Sequence, residues 1–218
     1  MAMVSCSFLA LLFSLSMTIP GVSQNPSKGQ DLDMRVKKFL DSHTGQWHDL
    51  NVPVNDGKLL YDLIIKGKYT RALEIGTSTG HSGIWIAWAL SKTGGKLITI
   101  EIDEERHKQA LANFEAAGLS SYIDARLADA HKLVKKLEGP FDFVFSDADK
   151  EWYKQYFTDL APKLTAGGCF TAHNVAGPHE GRAGIREYTE YVMSLKDFET
   201  TFNTAGAGVA ISYKKPDR

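Results

Sequence analysis

The stretch Arg71-Ala-Leu-Glu-Ile-Gly-Thr-Ser-Thr-Gly80 decides the fold, because an apolar run ends there in a loop that contains two glycines. A run of helical character, His81 to Leu90, follows at once. The pattern predicts a strand, a tight turn and a helix. The glycines allow backbone angles and a close approach of a ligand that a side chain would prevent. Alternatively, the glycines could serve only to form the turn between the strand and the helix, with no role in binding.

The spacing of this loop favours a cationic ligand over a dinucleotide. A dinucleotide fingerprint has three glycines, G-x-G-x-x-G, so that a pyrophosphate sits at the N-terminus of the helix. Here the pattern is E-x-G-x-x-x-G, in which Glu74 is the first residue and its carboxylate is expected to point into the loop. A carboxylate would repel a pyrophosphate but would suit the sulfonium and ammonium groups of S-adenosylmethionine. A nicotinamide-dependent oxidoreductase is a less favoured alternative, because the third glycine is missing.

A second acidic residue ends the next predicted strand. The run Lys96–Glu101 reads as a buried strand, and Glu101 follows Gly76 by 25 positions. An acid at this place can accept hydrogen bonds from a ribose diol. Two acidic strand ends around one glycine loop therefore predict a nucleotide-type site.

Composition limits the class of protein. The chain has 218 residues, of which 43% are hydrophobic, so it is long enough to bury one full core. A net charge of -1 gives no electrostatic argument for nucleic acid or an anionic membrane surface as a partner. We find no repeat and no linker, and we expect residues 24–218 to form a single domain.

Residues 1–23 resemble a secretory signal peptide. An apolar run from Phe8 ends at Pro20-Gly21, and it is short for a membrane span. No Lys or Arg precedes the run, so an uncleaved leader or a different start codon are alternatives. Cleavage would give a periplasmic or secreted protein with no stable membrane span and with Cys169 as its only cysteine; otherwise the protein is expected in the cytoplasm. An exported domain that only binds a small molecule is a further alternative.

The rest of the chain alternates between helical and strand patterns, which is typical of an α/β fold with a parallel sheet. Strands are predicted at 72–75, 97–101, 123–127, 141–146 and 169–172, and helices at 31–42, 57–66, 82–90, 103–117, 131–137 and 152–160. Residues 198–203 and 209–213 flank a glycine-containing turn, and they predict a terminal β-hairpin. Ligands of open α/β sheets lie at the carboxyl ends of the strands, where we look for the site.

Polar side chains follow the fourth and fifth predicted strands. Asp147, His173 and Asn174 would supply a carboxylate, an imidazole and an amide oxygen, which together with waters suit a divalent cation such as Mg²⁺ or Mn²⁺. Lys150 would lie beside that cation, and like-charge repulsion would lower its pKa towards that of a general base. His173 could instead be a core histidine, and Asp149 fits a helix-capping residue.

Four motifs together resemble the cation-dependent, S-adenosylmethionine-dependent O-methyltransferases, the family that includes catechol and caffeoyl-CoA O-methyltransferases. They are Glu74–Ser82, Glu101–Asp103, Asp147–Lys150 and His173-Asn174, and the resemblance extends from about residue 30 to 215. It implies a Rossmann-like class I methyltransferase fold of the α/β class, with a seven-stranded, mostly parallel sheet, an antiparallel C-terminal strand and helices on both faces. It also implies methyl transfer to a hydroxyl group of a catechol-like or phenolic acceptor. A homodimer is a further expectation.

The resemblance assigns roles to single residues. Lys150 and Asp147 would be catalytic; Asp147, His173 and Asn174 would bind the divalent metal; Lys150, Asn174 and Pro178 would contact the acceptor. Contacts with S-adenosylmethionine are implied for Val52, Glu74, Gly76, Ser78, Ser82, Glu101, Ile102, Asp129, Ala130 and Asp147. The segment 176–182 is expected to form a lid.

The chain departs from the family pattern at one metal ligand. The usual pair is Asp-Asn, and this chain has His173-Asn174. A neutral imidazole is softer than a carboxylate, so it would favour transition metals over Mg²⁺. It could also leave the metal loosely bound or absent.

Overall fold

The computed structural model of the protein describes residues 28–178 and 181–216, which form a seven-stranded sheet with helices on both faces. The strands are β1 (Arg71–Ile75), β2 (Lys96–Glu101), β3 (Ile123–Leu127), β4 (Phe141–Ser146), β5 (Leu164–His173), β6 (Phe198–Asn203) and β7 (Val209–Lys214). The helices are α1 (Lys28–Ser42), α2 (Val54–Gly67), α3 (His81–Thr93), α4 (Glu104–Ala117), α5 (Ala130–Lys136), α6 (Tyr153–Leu160) and α7 (Ala183–Ser194).

The strand order is β3-β2-β1-β4-β5-β7-β6. The first five strands in this order are parallel, and β7 runs antiparallel between β5 and β6. From β1 the chain first adds β2 and β3 on one side of the sheet, and it then adds β4 and β5 on the other side. At such a switch point a crevice for ligands opens at the carboxyl ends of the two central strands. The predicted fold class is confirmed, including the terminal hairpin.

Alternate residues of the central strands build the two halves of the core. Leu73 of β1 and Val144 of β4 pack towards α5, α6 and α7. Their neighbours Ala72 and Phe143 pack on the opposite face, towards α2 and α3. Side chains of a strand point alternately to its two faces, so a strand buried on both sides reads as a continuous apolar run. The apolar runs of β1 and β4 follow from this double burial.

The loop after β1 requires its glycines. Gly76 has φ +97° and Gly80 has φ +99°, values that side-chain-bearing residues rarely adopt. A Cβ atom on Gly76 would lie 2.8 Å from the backbone oxygen of Asp147. The first glycine therefore lets the β1 loop approach the loop that follows β4.

Apart from shifts of a few residues at the ends of other elements, two elements differ from the sequence-based prediction. β5 is longer than predicted and includes His173, which lies within the strand instead of after it. α7 was not predicted, although its buried residues Ile185, Tyr188 and Val192 recur at helical spacing. Ala176 and Pro178 lie outside regular structure, and the middle of the predicted lid is not among the described residues.

The predicted leader, residues 1–23, also lies outside the described part of the chain. Within that part, no helix is long and apolar enough to cross a bilayer. The cleavage site and the cellular location stay predictions.

Candidate active site

A cavity of about 880 Å³ opens at the carboxyl ends of the parallel strands. Small-molecule sites have volumes of roughly 300–1,000 Å³. The predicted site residues that line the cavity are Gly76, Ser78, Glu101, Ile102, Asp129, Ala130, Asp147, Lys150, His173 and Asn174. The tertiary structure therefore brings most of the predicted site together.

Glu101 is held at the floor of this cavity by backbone donors. Its Oε2 accepts a hydrogen bond from the Ser78 amide at 2.7 Å. Its Oε1 accepts from the amides of Ile102 and Asp103, each at 3.0 Å. Since three N–H groups fix the carboxylate, its orientation is set before any ligand binds.

Four predicted contacts do not line the cavity, namely Val52, Glu74, Ser82 and Pro178. Val52 is buried in the core, and its carbonyl lies 2.9 Å from Nδ1 of His81. Glu74 is fully buried behind the glycine loop, where its Oε2 accepts a hydrogen bond from the Thr99 hydroxyl at 2.6 Å. In this structure the Glu74 carboxyl group is bound to Thr99 on the core side of the loop. Its direct contact with a ligand stays a prediction.

The burial of Glu74 predicts a pH dependence of stability. Burial raises the pKa of Glu74 to about 8, although hydrogen bonds from Ser82 and Thr99 act in the opposite direction. An unfolded glutamate loses its proton at a pH of about 4.3. Between these values the folded chain holds a proton that the unfolded chain has released. The free energy of unfolding should therefore fall as the pH rises through this window, by at most about 1.4 kcal/mol per pH unit.

Urea denaturation of the wild type and of Glu74→Gln, at about pH 5 and about pH 8.5, measures this effect. The variant keeps an acceptor for the Thr99 hydroxyl but has no titrating group. We expect it to lose less stability than the wild type between the two pH values. Equal losses in the two proteins would show that Glu74 does not titrate in this way.

Several residues of the cavity wall were missed by sequence reasoning, among them Arg106, His131 and Tyr156. His131 stacks on Trp152 with ring centroids 3.8 Å apart. It follows Asp129, which caps α5 by accepting a hydrogen bond from the His131 amide at 3.0 Å. The position of His131, two residues after a capping residue at a strand end, is the signal that could have indicated it.

A row of four ionisable side chains runs from the cavity wall into the core, and we call it the charged row. Lys150 Nζ lies 2.5 Å from Asp147 Oδ1, and His173 Nδ1 lies 3.1 Å from Asp147 Oδ2. His173 Nε2 lies 2.9 Å from Oδ2 of Asp56. The exposed fraction of the side chains falls along the row, from 17% at Lys150 to 1% at Asp56.

Asp56, the innermost member of the charged row, was not predicted. It lies in the first turn of α2, and its Oδ2 also accepts a hydrogen bond from the Ala207 amide at 2.8 Å. An acid in the first turn of a helix is expected from the helix dipole alone. The sequence therefore carries no signal for its contact with His173.

The two carboxylates determine the state of His173. Burial by itself would lower the pKa of His173, but the contacts with Asp147 and Asp56 outweigh burial and the pKa is raised. The Nε2 contact with Asp56 is a hydrogen bond, and the Nδ1 contact with Asp147 is an ion pair without hydrogen-bond alignment. Asp149, by contrast, accepts a hydrogen bond from the Glu151 amide, as a capping residue does.

Comparison with known proteins identifies the family of this chain. Residues 28–183 match the O-methyltransferase family. A catechol O-methyltransferase of Niastella koreensis is 38% identical over 130 residues, which are 58% of this chain and 58% of that protein. Caffeoyl-CoA O-methyltransferase 1 of Eucalyptus globulus is 29% identical over 162 residues, which cover 68% of this chain and 65% of that protein. The chain thus spans less than two thirds of the length of these two relatives.

Two solved structures share the fold. The O-methyltransferase from Bacillus cereus, in complex with SAH, superposes with a TM-score of 0.72 at 27% identity, over 84% of this chain and 91% of that one. The O-methyltransferase TomG from Streptomyces achromogenes, in complex with SAM, gives a TM-score of 0.72 at 27% identity, over 89% and 93%. Since the family match covers well over half of the 218 residues, the protein belongs to the O-methyltransferase family.

Proposed function

We propose that this chain transfers a methyl group from S-adenosylmethionine to a hydroxyl group of a phenolic, catechol-like acceptor. The observation that carries the proposal is the composition of one continuous cavity. One part of its wall holds the glycine loop and the fixed carboxylate of Glu101, and another holds Lys150 and Asn174. The names of the relatives and the ligands of the two solved structures support this assignment.

The residues of the cavity suit this cofactor. Gly76 leaves room where a side chain would meet the backbone of Asp147. Glu101 offers an anion with fixed orientation to a ribose diol, and Ile102, which is 70% exposed, offers an apolar surface beside it. Asp129 and Ala130 complete this end of the cavity.

In the proposed reaction the hydroxyl oxygen forms a bond to the methyl carbon while the carbon–sulfur bond breaks, and the hydroxyl proton leaves to water. The bound S-adenosylmethionine supplies the electrophilic methyl group, and its sulfur keeps the electron pair as a neutral thioether. Lys150 reaches the cavity wall with its ammonium group and stabilises the negative charge that develops on the acceptor oxygen. The enclosing wall holds the reacting atoms in line.

We propose for Lys150 a role other than the general base expected from the sequence. A general base was predicted because a neighbouring cation would repel the ammonium form. The neighbour of Lys150 in this structure is the carboxylate of Asp147, at 2.5 Å. An ammonium group at this place can stabilise negative charge on the acceptor oxygen, and this is the role that we propose for Lys150.

A divalent cation is the other group that the family resemblance implies, and Nδ1 of His173, which is buried without a hydrogen-bond partner, lies beside Asp147. The two ring nitrogens of His173 lie near Asp56 and Asp147, and the two oxygens of Asp147 lie near Lys150 and His173. Within residues 28–178 and 181–216, no cluster of three or more His, Cys, Asp or Glu side chains could hold a metal ion. A divalent metal at Asp147, His173 and Asn174 stays a prediction, and no step given above is routed through it.

Calorimetry with S-adenosylmethionine and S-adenosylhomocysteine, combined with a methylation assay on catechol, tests the proposed function. We expect both nucleosides to bind and catechol to be converted to its methyl ether. NADH serves as the comparison ligand. Binding of NADH in place of S-adenosylmethionine would favour an oxidoreductase, and binding without turnover of any phenol would favour a non-catalytic binding domain. Homodimer formation and export stay predictions.

Glu101→Gln should weaken the binding of S-adenosylmethionine by about 1–3 kcal/mol, the range for hydrogen bonds to a charged group. The amide keeps an acceptor for the Ser78 amide but loses the negative charge. Calorimetry measures the affinity, and thermal melting checks the fold. Glu105→Gln is the matched control, because the side chain of Glu105 is 82% exposed and bound to Lys108. Equal affinities of the two variants would remove the assignment of Glu101 to the ribose.

A further inference from the structure

Residues 48–50 lie beside the cavity without belonging to a helix or a strand, and we call them the strap. All three are exposed, and Leu50 lines the same cavity as Glu101. A segment with little burial and no backbone ladder belongs to the least stable part of a fold, and it is held by the contacts of its side chains and its flanks. Because the strap lies beside the proposed cofactor site, those contacts bear on how a ligand enters and leaves.

Both flanks of the strap are anchored at the start of α3. Before the strap, the ring of Trp47 stacks on the imidazole of His81, with centroids 4.5 Å apart. After it, the carbonyl of Val52 lies 2.9 Å from Nδ1 of His81, and Nδ2 of Asn51 donates a hydrogen bond to the Thr79 hydroxyl at 2.8 Å. His81 is buried, so these anchors join the flanks to the core. The strap therefore spans two fixed points and can move between them.

Asp49 ties the middle of the strap to α4. Nε of Arg106 donates to Oδ2 of Asp49 at 2.7 Å, and Nη2 donates to Oδ1 at 3.0 Å, which is the two-pronged geometry of a strong arginine–carboxylate pair. We call this pair the clasp. The backbone carbonyl of Asp49 accepts a hydrogen bond from the Ser78 hydroxyl, and the Ser78 amide donates to Glu101. The clasped strap is thus in contact with the residue that fixes the carboxylate proposed for the ribose.

Leu50 is held in a conformation that leucine rarely adopts. Its φ is +53° and its side chain is 71% exposed, so burial of the side chain does not stabilise this conformation. A leucine at positive φ is strained, and it stays there only where neighbouring contacts impose it. Asp49 and Asn51, on its two sides, supply such contacts. Release of Asp49 would let Leu50 relax, and this favours an open strap.

The clasp also stands between two cavities. Arg106 lines both the main cavity and a second cavity of about 630 Å³. Of these two cavities, Leu50 lines the main one and Asp49 lines the second. Separation of Asp49 from Arg106 would join the two cavities and widen the way to Glu101.

We propose that the clasp controls exchange of the cofactor: S-adenosylmethionine enters, and S-adenosylhomocysteine leaves, when the Asp49–Arg106 pair breaks and the strap opens. The proposal rests on the proposed function, because it takes S-adenosylmethionine to be the ligand beside Glu101. Asp49 is a positioning residue, since it acts by holding the strap and does not line the main cavity. No bond other than the ion pair and its hydrogen bonds is broken in this step.

Stopped-flow fluorescence with the full chain, which measures the association and dissociation rate constants of S-adenosylhomocysteine, tests the proposal. Asp49→Asn removes the charge from the clasp and keeps a side chain of the same size. Partly exposed ion pairs are weak, so we expect both rate constants to rise by about two- to fivefold. The dissociation constant, measured by calorimetry, should change less than either rate, because the clasp closes the free and the occupied site alike.

Ionic strength gives a second measurement, which needs no variant. Salt screens partly exposed ion pairs, so the dissociation rate constant of the wild type should rise between about 0.05 M and about 0.5 M salt. The rate constant of Asp49→Asn should rise less, because its clasp is already uncharged. S-adenosylhomocysteine has no net charge near neutral pH, so its own attraction to the protein changes little with salt.

Asp124→Asn is the matched control. Asp124 pairs with Arg126 at 2.7 Å, at an exposure similar to that of the clasp, and it lies outside the cavity wall. We expect the control to exchange S-adenosylhomocysteine at the rates of the wild type. Thermal melting of both variants checks that they are folded.

The outcomes separate this proposal from the proposed function. Equal rate constants in Asp49→Asn and the wild type, an equal rise in Asp49→Asn and Asp124→Asn, or a wild-type rate that does not respond to salt would each overturn control by the clasp. In these cases the methyltransferase function stands if S-adenosylmethionine binds and catechol is methylated. Absence of binding of both nucleosides to the wild type would reject the proposed function and the clasp with it.

Discussion

Lys150→Met should lower the turnover of methyl transfer by about 100- to 1,000-fold, the loss that follows removal of one donor to a developing oxyanion. The affinity for S-adenosylmethionine should change little, because Lys150 lies at the acceptor part of the cavity and its charge is needed chiefly in the transition state. Methionine keeps most of the length and apolar volume of lysine, so packing over Tyr153, whose ring centroid lies 5.1 Å from Nζ, should be retained.

Steady-state kinetics with catechol and calorimetry with S-adenosylmethionine measure the two effects separately. Lys154→Met is the matched control, because Lys154 is partly exposed and bound to Glu187 at 2.8 Å outside the cavity wall. We expect the control to keep its turnover. If Lys150→Met lost only cofactor affinity and kept its turnover, the catalytic role of Lys150 would be wrong.

Gly76→Ala should destabilise the fold by about 3 kcal/mol and abolish cofactor binding, because two costs add at this position. The first is the positive φ of +97°. The second is the overlap of the new methyl group with the backbone oxygen of Asp147 at 2.8 Å, an atom that cannot rotate away. Relief of this overlap would push the β1 loop away from the β4 loop, and the two loops form adjoining walls of the cavity.

Gly167→Ala separates these two costs. Gly167 has φ +76°, and a Cβ atom there would meet nothing within 4 Å. This control should lose only the conformational part, about 1–2 kcal/mol. Urea denaturation measures both variants. Equal destabilisation of the two would show that the close approach to Asp147 contributes nothing.

Much of the architecture could be predicted from local patterns. The bounds of β3, β4 and β6 coincide with the predicted ranges 123–127, 141–146 and 198–203. These strands could be predicted because a buried strand consists of an apolar run bounded by turn residues, and this pattern is visible in the sequence of the strand itself. α7 had the same kind of trace at Ile185, Tyr188 and Val192, and the prediction did not use it.

The site was predictable to the extent that residues at strand ends are neighbours in any parallel sheet. Gly76, Glu101, Asp147 and Asn174 meet in one cavity because parallel strands end at the same edge. Glu74 shows the limit of that argument. A strand-end residue points to either face, and its side chain is buried behind the loop, where burial raises its pKa to about 8.

By itself the sequence determined the α/β fold, the glycine loop and the set of strand-end residues, because each of these depends on near neighbours in the chain. Only the tertiary structure decided which groups lie against His173. Its partner Asp56 lies 117 positions away in the sequence, and the two meet because the N-terminus of α2 and the β6–β7 turn close over the end of β5. The charge state of a buried histidine depends on the anions packed around it, and such contacts between distant segments leave no local pattern to read.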